Sequence, residues 1–244
     1  MKPIKKEQPH YIGHRARVRT KFFKDNGVSM ADYELMEVLL MQAIPRRDVK
    51  EQAKDLISHF GSFSEVIHAS NEALIEFGVS QSVLFMIKFV ETAMIRSSWQ
   101  RLSEDNRPIY KNLSYMIEYC RMLQGHKGHE ELRIIGLDSG YHIIAEELIQ
   151  TGTPNEVYID PRAIVEKALK QKASMVVMVH NHPGGKAEPS MADIKQTQIL
   201  MDILNSLKIA LYDHIIITKD SYYSFAENRD IYTINDQLNR HMKA

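Results

Sequence analysis

Cysteine is almost missing: Cys120 is the one thiol among 244 residues. No disulfide can form within the chain, and a metal site would have to be built from His, Asp and Glu. Long apolar runs are missing too. No stretch reaches the roughly 18 apolar residues of a membrane-spanning helix, and no apolar block follows the N-terminal lysines as in a secretion signal. Net charge is the third absence, since 31 Lys and Arg balance 31 Asp and Glu, so the whole-chain field exerts no general attraction on nucleic acid or anionic lipid. A soluble, cytoplasmic protein with no membrane partner is expected. At 44% hydrophobic and 25% charged residues, the composition is globular, and the length suits one large or two ordinary domains.

The charge balance breaks at the N-terminus. Residues 1–24 hold Lys2, Lys5, Lys6, Arg15, Arg17, Arg19, Lys21 and Lys24 against Glu7. Such a segment either contacts phosphate, with Arg15, Arg17, Arg19 and Lys21 as the candidate nucleic-acid-binding residues, or is a solvated face. His10 and His14 lack a third ligand and read as surface residues. Beyond them the pattern is helical. Leu35, Val38, Leu39 and Met36, Leu40, Ala43 form an apolar stripe from Ser29 to Ile44, with Ser29 or Asp32 as cap and Pro45 beyond the end. Further helices are predicted from Asp48 to Phe60, with Gly61 as stop, and over Phe63–Ala69, Asn71–Phe77 and Ser80 to about Ser97. The Gly78-Val79-Ser80 junction resembles the turn of a helix-hairpin-helix, where helix N-terminal amides receive a phosphate, although Ser80 stands where that turn normally has its second glycine.

After the polar stretch 101–112, read as a linker, a helix from Leu113 to Leu123 is followed by strands. Two of them, Leu132–Asp138 and Tyr141–Leu148, flank Ser139-Gly140 as a hairpin. A short strand is expected at Val157–Ile159, then a helix capped by Asp160-Pro161 and running to Lys170. Ile209–Thr218 and Tyr222–Phe225 close the domain as strands.

The chemistry centres on residues 175–193. Met175–Val179 is short, apolar and β-branched, which predicts a buried strand. His180 and His182 follow it. Residues i and i+2 of an extended chain share a face, so both imidazoles can meet at one point while Asn181 turns away. Pro183 ends the strand, Gly184 and Gly185 turn the chain, and Pro189-Ser190 starts a helix with Asp193 in its first turn. Two imidazoles and a carboxylate suit zinc better than magnesium or calcium, leaving iron, manganese and cobalt as alternatives. Ser190 and Asp193 alone would read as a helix-capping pair. Asp213-His214 would lie on opposite sides of a strand and is left outside the site, and Cys120 on an apolar helix face reads as a core thiol.

An upstream Glu, then His-x-His-Pro, then Ser-x-x-Asp resembles the pattern of the JAMM (MPN+) metalloproteases. Residues 110–230 resemble more closely the C-terminal domain of RadC proteins, long labelled DNA-repair proteins, through Glu130-Glu131-Leu132-Arg133, Asp160-Pro161-Arg162, His180 to Asp193, and Asp213-His214. The helical half is similar to a RadC N-terminal region at Tyr33-Glu34-Leu35, Asp48-Val49-Lys50 and Phe60-Gly61-Ser62. The chain departs from the family motif at Gly184-Gly185, where Ser-Gly is usual.

The resemblance implies one zinc ion bound by His180, His182 and Asp193, with Ser190 holding the oxyanion of a tetrahedral intermediate and an upstream Glu as general base. Glu130 is preferred to Glu131, because it shares a face with Leu132 and Ile134. The expected fold is α+β: an all-helical, helix-hairpin-helix-like domain at 25–100, then a mixed α/β MPN/JAB-type (cytidine-deaminase-like) sandwich at 113–233 and a tail at 234–244. The expected activity is metal-assisted hydrolysis of a peptide or isopeptide-like bond in a peptide or protein substrate. The competing expectation is a DNA-binding or DNA-processing repair protein acting through its helical half.

Overall fold

The structure, a computed structural model, describes residues 13–152 and 160–231. The strand expected at Val157–Ile159 and the tail at 234–244 lie outside them. The chain divides into two compact units, Met1–Ala93 and Met94–Ala244.

The first unit is helical among its described residues: α1 (His14–Asp25), α2 (Asp32–Ala43), α3 (Lys50–Phe60), α4 (Phe63–His68), α5 (Asn71–Phe77) and the first part of α6 (Gln81–Ser103). Met36, Leu40, Ala53, Leu56, Val66, Leu74, Val83 and Ile87 are fully buried together, as the helical spacing predicts. Gly61 ends α3 at φ 102°, a left-handed conformation that favours glycine. Ser62 and Ser70 cap the next two helices by accepting the amide protons of Glu65 and Ala73. The start of α2 differs from expectation. Ala31, not Ser29 or Asp32, occupies the cap position, because Glu34 accepts its amide proton at 3.0 Å and Asp32 is drawn to the amide of Phe63 at 2.8 Å. The helix expected to stop near Ser97 continues to Ser103.

In the second unit a 3-10 turn at Ile109–Lys111 leads to α7 (Leu113–Gln124), β1 (Glu131–Leu137), β2 (Ile143–Thr151), α8 (Pro161–Gln171), β3 (Met175–Asn181), α9 (Met191–Ser206), β4 (Ala210–Ile217) and β5 (Tyr222–Ser224). The sheet runs β2-β1-β3-β4-β5. Pairing is antiparallel except between β3 and β4, which α9 connects as a parallel pair. β2 begins at Ile143 instead of Tyr141, because Tyr141 takes φ 67° in the turn, where Asp138 accepts the amide protons of Gly140 and His142.

Each face of the sheet carries its own core. Leu132, Ile134, Val176, Met178 and Ile216 pack with Ile164 and Ala168 of α8 and Leu200 and Leu204 of α9. Ile135, Leu137, Val177, Val179 and Ile215 pack with Met116, Ile117 and Cys120 of α7. Every residue of β3 is buried, as befits a central strand covered by helices on both faces. Among the described residues the second unit is thus an α+β sandwich, with the mouth of the parallel β3 and β4 pair at their carboxyl ends.

Candidate metal centre

His180 is on β3, paired in register with Leu132 of β1 and Ile216 of β4. Paired residues share a face, so His180 points to the side packed by α8 and α9. One residue past the strand, His182 keeps the same face, and its amide still donates to Ile217 at 2.9 Å. Gly185 then takes φ 80°, while the space beside Gly184 is open. The left-handed demand thus falls on Gly185, where the Ser-Gly pattern also has glycine, and the preceding position has room for the usual serine. The chain enters α9 at Ser190, which brings Asp193 back over the strand end.

These three residues converge. The Nε2 atoms of His180 and His182 are 2.9 Å apart, and the carboxylate of Asp193 lies 3.3 Å from the first and 3.6 Å from the second. Together they form a group whose ligand atoms all lie within 4.8 Å of one another. A tetrahedral ion of zinc's size, with nitrogen ligands at about 2.0–2.1 Å, separates neighbouring ligand atoms by about 3.3 Å. The donor set and its spacing fit a transition metal held by His180, His182 and Asp193. Burial opposes the charge of Asp193, but the adjoining imidazoles of His180 and His182 and the Ser190 hydroxyl outweigh it and hold the carboxyl far below its ordinary range. For His182, burial lowers the pKa, but the Asp193 carboxylate and the Lys186 carbonyl outweigh it and the net shift is upward.

Each ligand is held from behind. The Nδ1 of His182 donates to the Lys186 carbonyl at 2.9 Å, which presents Nε2 to the centre. Ser190 and Asp193 form a capping box: the Asp193 carboxylate accepts the Ser190 amide at 2.7 Å and its hydroxyl at 2.6 Å, while Ser190 accepts the Asp193 amide at 3.1 Å. His180 Nδ1 lies 2.8 Å from His214 Nε2. His214 is fully buried on β4, stacked on Phe225 at 4.6 Å, and burial pushes its pKa well below the ordinary value.

His214 is the residue that sequence reasoning left out. It and Asp213 do face opposite sides of β4. Asp213 serves packing, accepting from Ser224 at 2.6 Å and the Ala226 amide at 2.9 Å, whereas His214 reaches a ligand. A histidine directly before the apolar run Ile215-Ile216-Ile217 was the available signal, but only the parallel register of β3 and β4 sets it beside His180.

The two glutamates before β1 are also separated by register. Glu131 faces away from His180. Its carboxylate pairs with Lys127 at 2.6 Å and Arg133 at 3.0 Å. Burial opposes its ionisation, and these two cations outweigh burial and bring its pKa down. Glu130 is buried one residue earlier, and its charge contributes to raising the pKa of His182. Its backbone is clamped: Gly152 donates to the Glu130 carbonyl at 2.8 Å, and Asn181, facing away from the centre, accepts the Glu131 amide and donates to the His129 carbonyl.

Residues 110–230 match the model of the RadC-like JAB domain. Through this domain the chain belongs to the RadC family. The five-stranded mixed sheet and the His180, His182 and Asp193 group agree with a JAB-type fold and a JAMM-type metal site.

The basic residues singled out at the N-terminus fall on α1. Arg15 donates to the carbonyls of Met41 and Arg47 at 2.9 and 2.6 Å, and Lys21 pairs with Glu34 at 2.6 Å, so both are engaged within the helical unit. Arg17 and Arg19 are exposed. His14 is paired with the buried Glu37 at 2.6 Å; His10 lies outside the described residues. Cys120 is buried, which pushes its thiol up to about 12 and leaves it a protonated core group. Among the described residues no helix is long and apolar enough to cross a membrane.

Proposed function

We propose that this RadC-like chain is a cytoplasmic, zinc-dependent hydrolase of the JAMM type that cleaves a peptide or isopeptide-like bond. The observation that carries the reading is the convergence of His180, His182 and Asp193 within 4.8 Å at the mouth of a parallel strand pair. His180, His182 and Asp193 would hold a zinc ion, which would supply Lewis acidity and acidify water at the centre. Glu130 takes the proton of the attacking water and returns it to the leaving nitrogen, a role that needs a carboxylate on the His180 side of the sheet. Ser190 donates to the developing oxyanion. To do so its hydroxyl turns from the Asp193 carboxylate, which it meets at 2.6 Å, while the Ser190 amide keeps that carboxylate in place at 2.7 Å.

The test is elemental analysis of the purified chain together with cleavage of a peptide library. One zinc per chain and chelator-sensitive cleavage are expected, with both lost in Asp193→Ala. A wild-type chain that holds no stoichiometric transition metal sinks the reading.

A second reading gives the helical unit a DNA contact. The turn between α5 and α6 favours it: Gly78 takes φ 94° and Ser80 accepts the Val83 amide at 3.4 Å, a helix-hairpin-helix-like opening onto the amides of α6. Binding to duplex or forked DNA should weaken steeply with salt, and the absence of any salt-dependent binding removes this reading.

A further inference from the structure

The polarity of one buried hydrogen-bond chain fixes where a proton sits on His180. The Thr197 hydroxyl lies 2.6 Å from the Asp193 carbonyl and 2.6 Å from His214 Nδ1. A carbonyl oxygen only accepts, so the single hydroxyl proton goes to Asp193. Thr197 must then accept from His214, and the His214 proton is on Nδ1. His214 is fully buried against Phe225, and among the described residues no carboxylate bonds to it, so a second proton on its ring would be an unpaired buried charge. Its Nε2 is therefore a bare acceptor. The 2.8 Å contact to His180 Nδ1 requires the proton to lie on the His180 side. That leaves Nε2 of His180 as the nitrogen with a lone pair, and Nε2 is the atom that faces His182 and Asp193.

We propose that Thr197 and His214 are positioning residues that lock His180 in the metal-binding tautomer and tie it to a second ligand, since the chain ends on the backbone of Asp193. The proposal rests on the metal-centre reading above and extends it. It gives the Asp193-to-Thr197 spacing on α9 a chemical reason: one helical turn places the Thr197 hydroxyl over the Asp193 carbonyl. It also gives β4 a part in the centre without supplying a ligand. A partner of this kind typically changes metal affinity by about 10- to 100-fold when removed.

The test uses the full chain with ¹⁵N-labelled histidine, stripped of metal at about pH 8, in two-bond ¹H–¹⁵N correlation spectra. Both His180 and His214 should carry the proton on Nδ1. A proton on Nε2 of His180 overturns the proposal. Thr197→Val keeps the side-chain shape without the hydroxyl and should release the tautomer of His214 and weaken zinc binding by about 10- to 100-fold in competition with a chromogenic chelator, while Thr197→Ser restores both. Wild-type tautomers and affinity in Thr197→Val also overturn it. The tautomers are read on metal-free protein, so a wild-type chain without affinity for zinc defeats the hydrolase reading while the relay is still decided by the spectra.

Discussion

Asn181 and Glu131, fifty residues apart, are joined by a buried hydrogen bond in which the Asn181 side chain accepts the Glu131 amide proton at 2.8 Å. The Asn181 side-chain Nδ2 donates in turn to the His129 carbonyl at 2.9 Å. Asn181 thus grips the peptides on both sides of Glu130 from the face opposite the metal ligands. Asn181→Ala would leave two backbone groups unpaired, at about 1–3 kcal/mol for a buried donor or acceptor. The expected outcome is a folded, zinc-binding protein with lower stability in urea and turnover reduced at least tenfold. Unchanged turnover would show that the clamp does not position Glu130.

Ser190 makes two separable contributions. Its hydroxyl caps α9 and donates to the Asp193 carboxylate, which its amide holds separately, and Ser190→Ala removes both hydroxyl contacts while keeping the amide. Loss of the cap should cost about 1 kcal/mol. Zinc affinity should stay within tenfold of wild type, while turnover should drop by about 10²–10³ if the hydroxyl serves the oxyanion. Isothermal titration with zinc and a peptide assay separate the two. Loss of zinc with turnover per bound zinc unchanged would make Ser190 a positioning residue alone.

Local sequence carried the elements of the centre, and long-range pairing carried its connections. The β3 run, the i, i+2 histidines and the Ser190 to Asp193 helix start are all encoded within nineteen residues, 175–193, so spacing and turn chemistry were enough to assemble the three ligands. His214 lies thirty-four residues beyond His180, and its role depends on the β3 and β4 register, which has a shift between Val176 and Val177 that no periodicity announces. The cap of α2 was misread for a similar reason: Asp32 is a good capping residue, but Phe63, thirty-one residues on, offers its amide instead. Glu130 and Glu131 are a case between these. Strand alternation separates their faces, and the cations around Glu131 reveal the choice only after the loop before β1 has folded.

Asp213 should make stability fall with rising pH. Burial pushes its carboxyl up to about 6 from an ordinary 3.8, against the opposing hydrogen bonds of Ser224 and the Ala226 amide. With the folded pKa above the unfolded one, the folded state holds the proton more tightly between these values, so this group's contribution declines as pH rises from about 4 to 6 and is level above. Asp213→Asn keeps an acceptor for the Ala226 amide and cannot ionise. The stability of the variant relative to wild type, from urea unfolding, should improve by on the order of 2 kcal/mol between about pH 4 and pH 7. A difference independent of pH would show that Asp213 is ionised in the folded protein at both ends of that range.

The sharpest contrast is between neighbouring carboxylates. Glu131→Gln and Glu130→Gln remove the same charge one residue apart, on opposite faces of β1 and its approach. Glu131 pairs with Lys127 and Arg133, and its lowered pKa makes its contribution to stability present above the ordinary value of 4.5 and lost as pH falls through the folded pKa. Glu131→Gln should therefore narrow the pH dependence of unfolding on the acid side while leaving zinc content intact and turnover within a few-fold of wild type. Glu130→Gln should do the reverse: stability and zinc content stay near wild type, and turnover falls by about 10²–10⁴, the usual scale for a lost general base. Parallel measurement of zinc content, urea unfolding and peptide cleavage on the two variants decides the assignment, and equal turnover losses would remove Glu130 as the base.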